Sequence, residues 1–273
     1  MQHTFPVSEP IDVYVEIGSG SLSVLVADTD QAIIEVDGRD AEHVDVDLDR
    51  NRLSVVAPRR TGFLNVLGGL SVRVTAPRGS SLGTRLGSAG VSVEGNLDHV
   101  RVATGSGEVA LEDVADNAVV KTGSGSVAIR SIGSDADVKT GSGDIGIGHL
   151  GGTARLVTGS GDIEVGRADG PISFKTGSGD IVVREADGGQ AQLSAGSGQL
   201  HVGRMASGIA QLKNASGDIR VGVPAGTPVW TDVSSVSGQV RSTLPSTGAP
   251  QDGQDHVEVT ARTVSGDVYL ESL

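Results

Sequence analysis

Thr140-Gly141-Ser142-Gly143-Asp144-Ile145 is followed by Thr158-Gly159-Ser160-Gly161-Asp162-Ile163 and then by Thr176-Gly177-Ser178-Gly179-Asp180-Ile181. The same phrase, in degraded form, extends in both directions. Its central serines are Ser88, Ser106, Ser124, Ser142, Ser160 and Ser178, at a constant interval of 18 residues. They continue as Ser197, Ser216, Ser237 and Ser265, with intervals of 19, 19, 21 and 28. Self-similarity at a short fixed period marks a solenoid, in which one repeat cannot bury its apolar face alone and stacking does so.

The residues around each serine give the coil its form. Three places after it stand Val91, Val109, Val127, Ile145, Ile163, Ile181, Leu200, Ile219, Val240 and Val268; five places after it come Val93, Leu111, Ile129, Ile147, Val165, Val183, Val202, Val221, Ser242 and Leu270. Four places before it stand Thr84, Val102, Val120, Val138, Leu156, Phe174, Leu193, Leu212, Val233 and Ala261. Side chains alternate between the faces of a strand, so these positions point inward and their neighbours outward. Each coil then has two short strands and two corners. One corner is Gly-Ser-Gly, and the other includes Leu150-Gly151-Gly152 and Ala168-Asp169-Gly170-Pro171.

The expected fold is all-β: a single-stranded β-solenoid (β-helix), right-handed, of about ten coils of about 18 residues, with an irregular N-terminal β cap. Residues 1–75 are read as an acidic β-strand cap contiguous with the solenoid, and 76–273 as the repeats, with an irregular loop at 244–255. In the cap, alternation marks strands at 13–17, 22–26, 44–48, 53–55 and 70–74, and Asp49-Arg50-Asn51 reads as a hairpin turn. The last strand, around Asp267–Glu271, has no repeat after it and is expected to leave its backbone unpaired on one side.

Composition agrees. Glycine supplies 41 of 273 residues without a Gly-x-y triplet pattern, and with three Phe, two Tyr and one Trp the core must be a stack of small aliphatic side chains. With no cysteine, neither disulfides nor thiolate metal sites arise. The net charge is −13, and residues 1–50 hold twelve acids against Arg39 and Arg50. Such a field repels phosphate backbones, so no nucleic-acid partner is expected. The first twenty residues lack the pattern of a signal peptide and no apolar run suits a membrane helix, which reads as a cytoplasmic protein with no membrane partner.

The repeated TGSGDI-x-V phrase, with its lead-in Val72-Arg73-Val74-Thr75-Ala76-Pro77-Arg78-Gly79, resembles the bacterial putative-adhesin family of β-strand-repeat domains, whose function is unknown. The resemblance covers roughly residues 11–273 and implies a single-stranded β-helix. It carries over no catalytic or binding residues.

Motifs that imitate known chemistry lose it in context. Leu244-Pro245-Ser246-Thr247-Gly248 matches a sortase signal without the apolar span and basic tail that anchoring needs. Gly141–Gly146 fits GxGxxG, but a dinucleotide site needs a helix after the loop, and none is expected. Asn214-Ala215-Ser216 is a degenerate repeat corner that happens to match a glycosylation acceptor. The row Glu108, Asp144, Asp162, Asp180, Asp218, Asp267 invites comparison with calcium-binding β-rolls, but those need Gly-Gly-x-Gly-x-Asp at both corners. Stacked carboxylates would repel by about 0.9 kcal/mol per pair in a water-like dielectric. Lys121, Lys139, Lys175 and Lys213, five positions before the acid site across the same corner, are expected to relieve this as surface pairs.

Ten equivalent serines cannot all be nucleophiles, and ladders of Ser and Thr between coils account for them better. His3, His43, His99, His149, His201 and His256 fall in unrelated frames and read as isolated surface residues. A sugar-cleaving β-helix would need paired carboxylates and aromatic platforms, for which only Tyr269 and Trp230 stand out. No catalytic, cofactor-binding or metal-binding residue is assigned, and no enzyme is expected. The function expected is a non-enzymatic, adhesin-like binding or scaffold protein presenting a polar face to an unknown protein partner. The alternatives are a structural protein that polymerises end to end, like bactofilins, as a homo-oligomer through solenoid ends, and a glycan-active β-helix.

Overall fold

A computed structural model describes residues 1–58, 69–245 and 255–273. Its described residues are almost entirely β, with a single three-residue 3-10 turn at Ala41–His43. Among the described residues no helix is long and apolar enough to cross a membrane. Contacts divide the chain into two units, Met1–Gly133 and Ser134–Leu273.

In the first unit each coil gives one strand to each of two sheets. One sheet runs Gln2–Pro6, Gln31–Asp37, Leu70–Pro77, Gly20–Ala27, Gly90–Leu97, Val109–Val114, Val127–Ile132. The other runs Asp45–Asp49, Arg52–Val56, Asp12–Ile17, Ser81–Leu86, Val100–Thr104, Ala118–Thr122. Pairing is parallel from the strands Arg52–Val56 and Leu70–Pro77 onward, with Val100↔Ala118 and Val109↔Val127 in register at the 18-residue spacing. The strands Gln2–Pro6, Gln31–Asp37 and Asp45–Asp49 pair antiparallel at the sheet edges. Arg50, with φ of 56°, makes the tight turn between Asp45–Asp49 and Arg52–Val56.

Spatial order departs from chain order here. Asp12–Ile17 lies between Arg52–Val56 and Ser81–Leu86, and Gly20–Ala27 between Leu70–Pro77 and Gly90–Leu97, all paired in parallel. The chain leaves Pro77, passes the inserted coil, and resumes at Ser81. Buried Ser80 marks the crossing, and its Oγ accepts the Ile11 N–H at 3.1 Å.

The second unit repeats the plan. One sheet runs Ile145–Leu150, Ile163–Ala168, Ile181–Ala186, Leu200–Met205, Ile219–Val223, Val268–Ser272, Val240–Ser242. The other runs Ala136–Thr140, Ala154–Ser160, Ile172–Ser178, Gln190–Ser197, Gly208–Ser216, Val257–Thr263, Val229–Ser235. These are the long parallel sheets of a β-solenoid, built from 18- and 19-residue repeats.

The expected free strand at Asp267–Glu271 is not free. Val268–Ser272 pairs with Ile219–Val223 on one side and with Val240–Ser242 on the other. Among the described strands the coil at 229–242 is outermost instead, because the strands of 257–272 pair between it and those of 208–223. Most of the proposed 244–255 loop, including residues 246–248 of the LPSTG match, lies outside the described residues.

The inward ladders are buried through the stack. Ile145, Ile163, Ile181, Leu200, Ile219 and Val268 are at most 1 % exposed, and Phe174 is the aromatic ring among the largest fully buried side chains. Each such side chain contributes about 1.5–3 kcal/mol by leaving water. Only the outermost coil breaks the pattern: Val240 is 49 % exposed, since nothing described stacks beyond it.

Candidate functional site

The repeat phrase forms its own hydrogen-bonded corner. Threonine two places before the serine points inward and is buried, as Thr104, Thr122, Thr140, Thr158, Thr176 and Thr263 show. Its Oγ1 accepts the N–H of the second glycine of its corner, from Gly107, Gly125 and Gly143 at 3.0–3.1 Å. The same hydroxyl donates to a carbonyl of the preceding coil: Thr104 to Ala89, and Thr158 and Thr176 to Gly143 and Gly161. Asn214, the apparent glycosylation acceptor, replaces threonine in this ladder. It is 8 % exposed, and its Nδ2 donates to the Gly198 and Gly217 carbonyls.

Glycine is required at the corner by contact between coils more than by dihedral freedom. A Cβ on Gly105, Gly123, Gly159 or Gly177 would stand 2.4–2.5 Å from the carbonyl oxygen of the glycine one coil earlier. The serines between these glycines are exposed. Gly141–Gly146 joins two strands, with no helix following.

The aspartates of the acidic row accept backbone N–H groups of the next coil, and Asp218 also meets Arg220 at 3.8 Å. Asp144 Oδ1 accepts the N–H of Asp162 at 2.9 Å, Asp162 that of Asp180 at 2.8 Å, and Asp180 that of Gln199 at 2.7 Å. Asp218 likewise accepts from Asp267, and Asp267 from Gln239, following spatial and not chain order. That backbone donor, helped by the Tyr269 hydroxyl, holds the Asp267 carboxyl below its usual range. Among the described residues no group of three or more His, Cys, Asp or Glu could hold a metal ion.

The lysines therefore do not serve the acidic row. Lys139 pairs instead with Asp137 at 2.9 Å on its own strand. Lys121, Lys175 and Lys213, together with Arg155, make no ion pair among the described residues. Lys175, Ser194 and Lys213 are in register on adjacent strands, which sets the Lys175 and Lys213 Cα atoms two strand spacings apart, about 9–10 Å. Arg155, Lys175 and Lys213 are all exposed on the outer face of one sheet in the second unit.

Elsewhere charges are matched across coils. Arg167 contacts Asp169, Glu185 and Asp187, and Arg204 also reaches Asp187. His149 meets Asp169 at 2.8 Å, so it is not isolated, and this bond, with that from Arg167, lowers the Asp169 pKa. Such exposed pairs staple neighbouring coils, each weakly. Tyr269 stacks between Arg220 and Arg241, at 5.0 and 5.7 Å, across three spatially consecutive strands.

The fold and these corners define a β-solenoid whose repeated polar groups are used by its own backbone, leaving the outward strand faces as the surface open to other molecules. Comparison with known proteins goes one step further. The chain belongs to the Toastrack DUF4097 family, whose model matches residues 11–203 and 172–271. Among solved structures it is similar to a putative adhesin from Bacteroides fragilis, at 13 % identity over 99 % of this chain and 96 % of that one, with a TM-score of 0.42. A putative adhesin from Parabacteroides distasonis shows 12 % identity over 99 % and 96 % of the chains, with a TM-score of 0.39. A putative lipid binding protein from the same organism shows 15 % identity over the same shares, also at 0.39. No curated protein matches the chain.

Proposed function

We propose that this chain is a non-enzymatic, adhesin-like binding or scaffold protein that presents a polar sheet face to a protein partner. The observation that carries this reading is the Lys175 and Lys213 column with Arg155 one column away, all exposed on one sheet face and making no ion pair among the described residues of a chain of net charge −13. Elsewhere on the second unit Arg167, Arg184, Arg204 and Arg262 each have an acid beside them. A cluster of cations without ion pairs suits an acidic protein surface, because complementary charge steers encounter and sets register. The test is capture of partners by the full chain, with crosslinking through this face, against the variant R155S/K175S/K213S. A partner captured by the parent at low salt and lost in the variant supports the reading; a partner held equally by both overturns it.

A second reading, self-association, is favoured by the outermost coil. Among the described residues Val229–Ser235 pairs on one side only, and Trp230 within it and Val236 after it are 60 % and 81 % exposed. An edge strand of this kind is a template for another chain. Sedimentation at rising concentration tests it: a monomer throughout removes this reading, and growth that Trp230→Lys prevents supports it.

A further inference from the structure

In the first unit, an outward column crosses five adjacent strands as Ser54, Tyr14, Gly83, Arg101, Val119. Gly83 is the odd member. A Cβ there would meet nothing nearer than Tyr14 Cδ2 at 3.6 Å, an ordinary contact, and its φ lies outside the left-handed region. Neither sterics nor backbone conformation requires glycine, although glycine inside a strand weakens it. Its consequence is a hollow: a groove of about 430 Å³ with Gly83 in its floor, between Tyr14 and Arg101. Ligand clefts run from about 300 to 1,000 Å³.

The walls are chemically mixed and held in place. The Tyr14 hydroxyl donates to Glu16 at 2.8 Å, fixing the ring as one wall. Arg52 lies over that ring at 5.7 Å. His99 sits between Asp98 and Asp116, at 3.5 and 3.4 Å. The Arg52 and Arg101 guanidinium groups have no acidic partner among the described residues, whereas Arg73 and Arg130 in the same unit do. Asp12 also lines the groove and adds a strong acceptor.

We propose that this groove binds a carboxylate-bearing sugar residue, a hexuronate unit of an acidic glycan. Arg101 takes the planar carboxylate, for which the guanidinium fork is suited. The Tyr14 ring flanks the sugar ring, and Asp12 and His99 meet its hydroxyl groups. Asp12 disfavours a phosphate, which would bring more negative charge beside a carboxylate than a uronate does. The site lies in a different unit from the cation row proposed for a protein partner, and the two proposals stand or fall separately.

The experiment is calorimetric titration of the full chain with trigalacturonate, with neutral galactotriose and inorganic phosphate as comparison probes. Trigalacturonate is expected to bind, Arg101→Gln to weaken it by about tenfold or more, and Gly83→Val to abolish binding with an unchanged or higher melting temperature. Valine suits a strand and fills the hollow, so loss of binding by a fully folded G83V variant assigns the groove itself. Absence of trigalacturonate binding, equal binding of galactotriose, phosphate bound in its place, or full affinity in folded G83V would each overturn the proposal.

Discussion

The side-chain carboxylate of Asp162 accepts the backbone N–H of Asp180, its counterpart one coil on, at 2.8 Å. The aspartate of the repeat is thus an inter-coil cap, and its place in the phrase is explained without a ligand. Asp162→Ala is expected to cost about 1 kcal/mol, the loss of one hydrogen bond to an exposed charged group. Asp162→Asn keeps an acceptor and should cost less. Urea denaturation of the two variants checks the order; equal losses would mean that charge, and not the bond, matters.

Thr104 offers a cleaner case because it is only 7 % exposed and bonds in both directions, from Gly107 N–H and to Ala89 carbonyl. Thr104→Val keeps the shape but strands two backbone groups. A loss of about 2 kcal/mol is expected, with Thr104→Ser recovering most of it. If the valine variant matches the parent in denaturant midpoint, the ladder is not a source of stability.

At the corner, Gly177→Ala places a Cβ where the Gly159 carbonyl oxygen now stands, 2.5 Å away. Because the obstacle is backbone, the coils must separate, and a melting temperature many degrees below the parent is expected. A tolerated alanine would show that the spacing between coils is loose.

Ile163 is fully buried, while its neighbour Glu164 is exposed on the outer face. Ile163→Asp is expected to cost more than about 4 kcal/mol, since it buries a charge with no partner. Glu164→Gln should stay within about 0.5 kcal/mol. Equal damage from both, read by circular dichroism, would contradict the assignment of faces.

His201 provides a pH dependence. Partial burial, and then the charge of Arg220, lowers its pKa from 6.5. The folded state therefore resists a proton that the unfolded chain accepts. Its contribution to stability is full above the unfolded value of 6.5 and declines as pH falls from there towards the folded pKa. Denaturant midpoints measured at about pH 7.5 and about pH 5.5 should fall further for the parent than for His201→Gln. Identical slopes would remove this role.

The ladders were legible in sequence because one residue type at one spacing decides which face it occupies. Ile163, Val165 and Leu156 needed nothing more than alternation to be placed in the core. Strand Gln31–Asp37 buries Ala32, Ile34 and Val36, yet lies outside the expected strands, because Ile33 beside Ile34 breaks the apolar and polar alternation that marked its neighbours. The order of coils was not legible at all. Every corner can stack on every other, so periodicity cannot say whether Ser216 is followed in space by Ser237 or, as observed, by Ser265. The role of the acids was hidden for a different reason: a carboxylate that caps a backbone N–H has no partner residue type to pair it with. The Tyr14 groove depends on a missing side chain, and Gly83 reads in sequence as one more glycine among 41.

The insertion of 257–272 between the coils at 208–223 and 229–242 has a consequence for biosynthesis. A solenoid in which each coil docks on the one before it can fold as it emerges from the ribosome, and domains generally do form from the N-terminal side during synthesis. The coil at 229–242 has no such surface waiting, because the strands it lies against are made later. It must remain open, with Trp230 in water, until Val257–Ser272 has been translated and has taken the inner place. That interval is when this segment is most available to chaperones or to a neighbouring nascent chain, and it ends only when the later coil closes the stack.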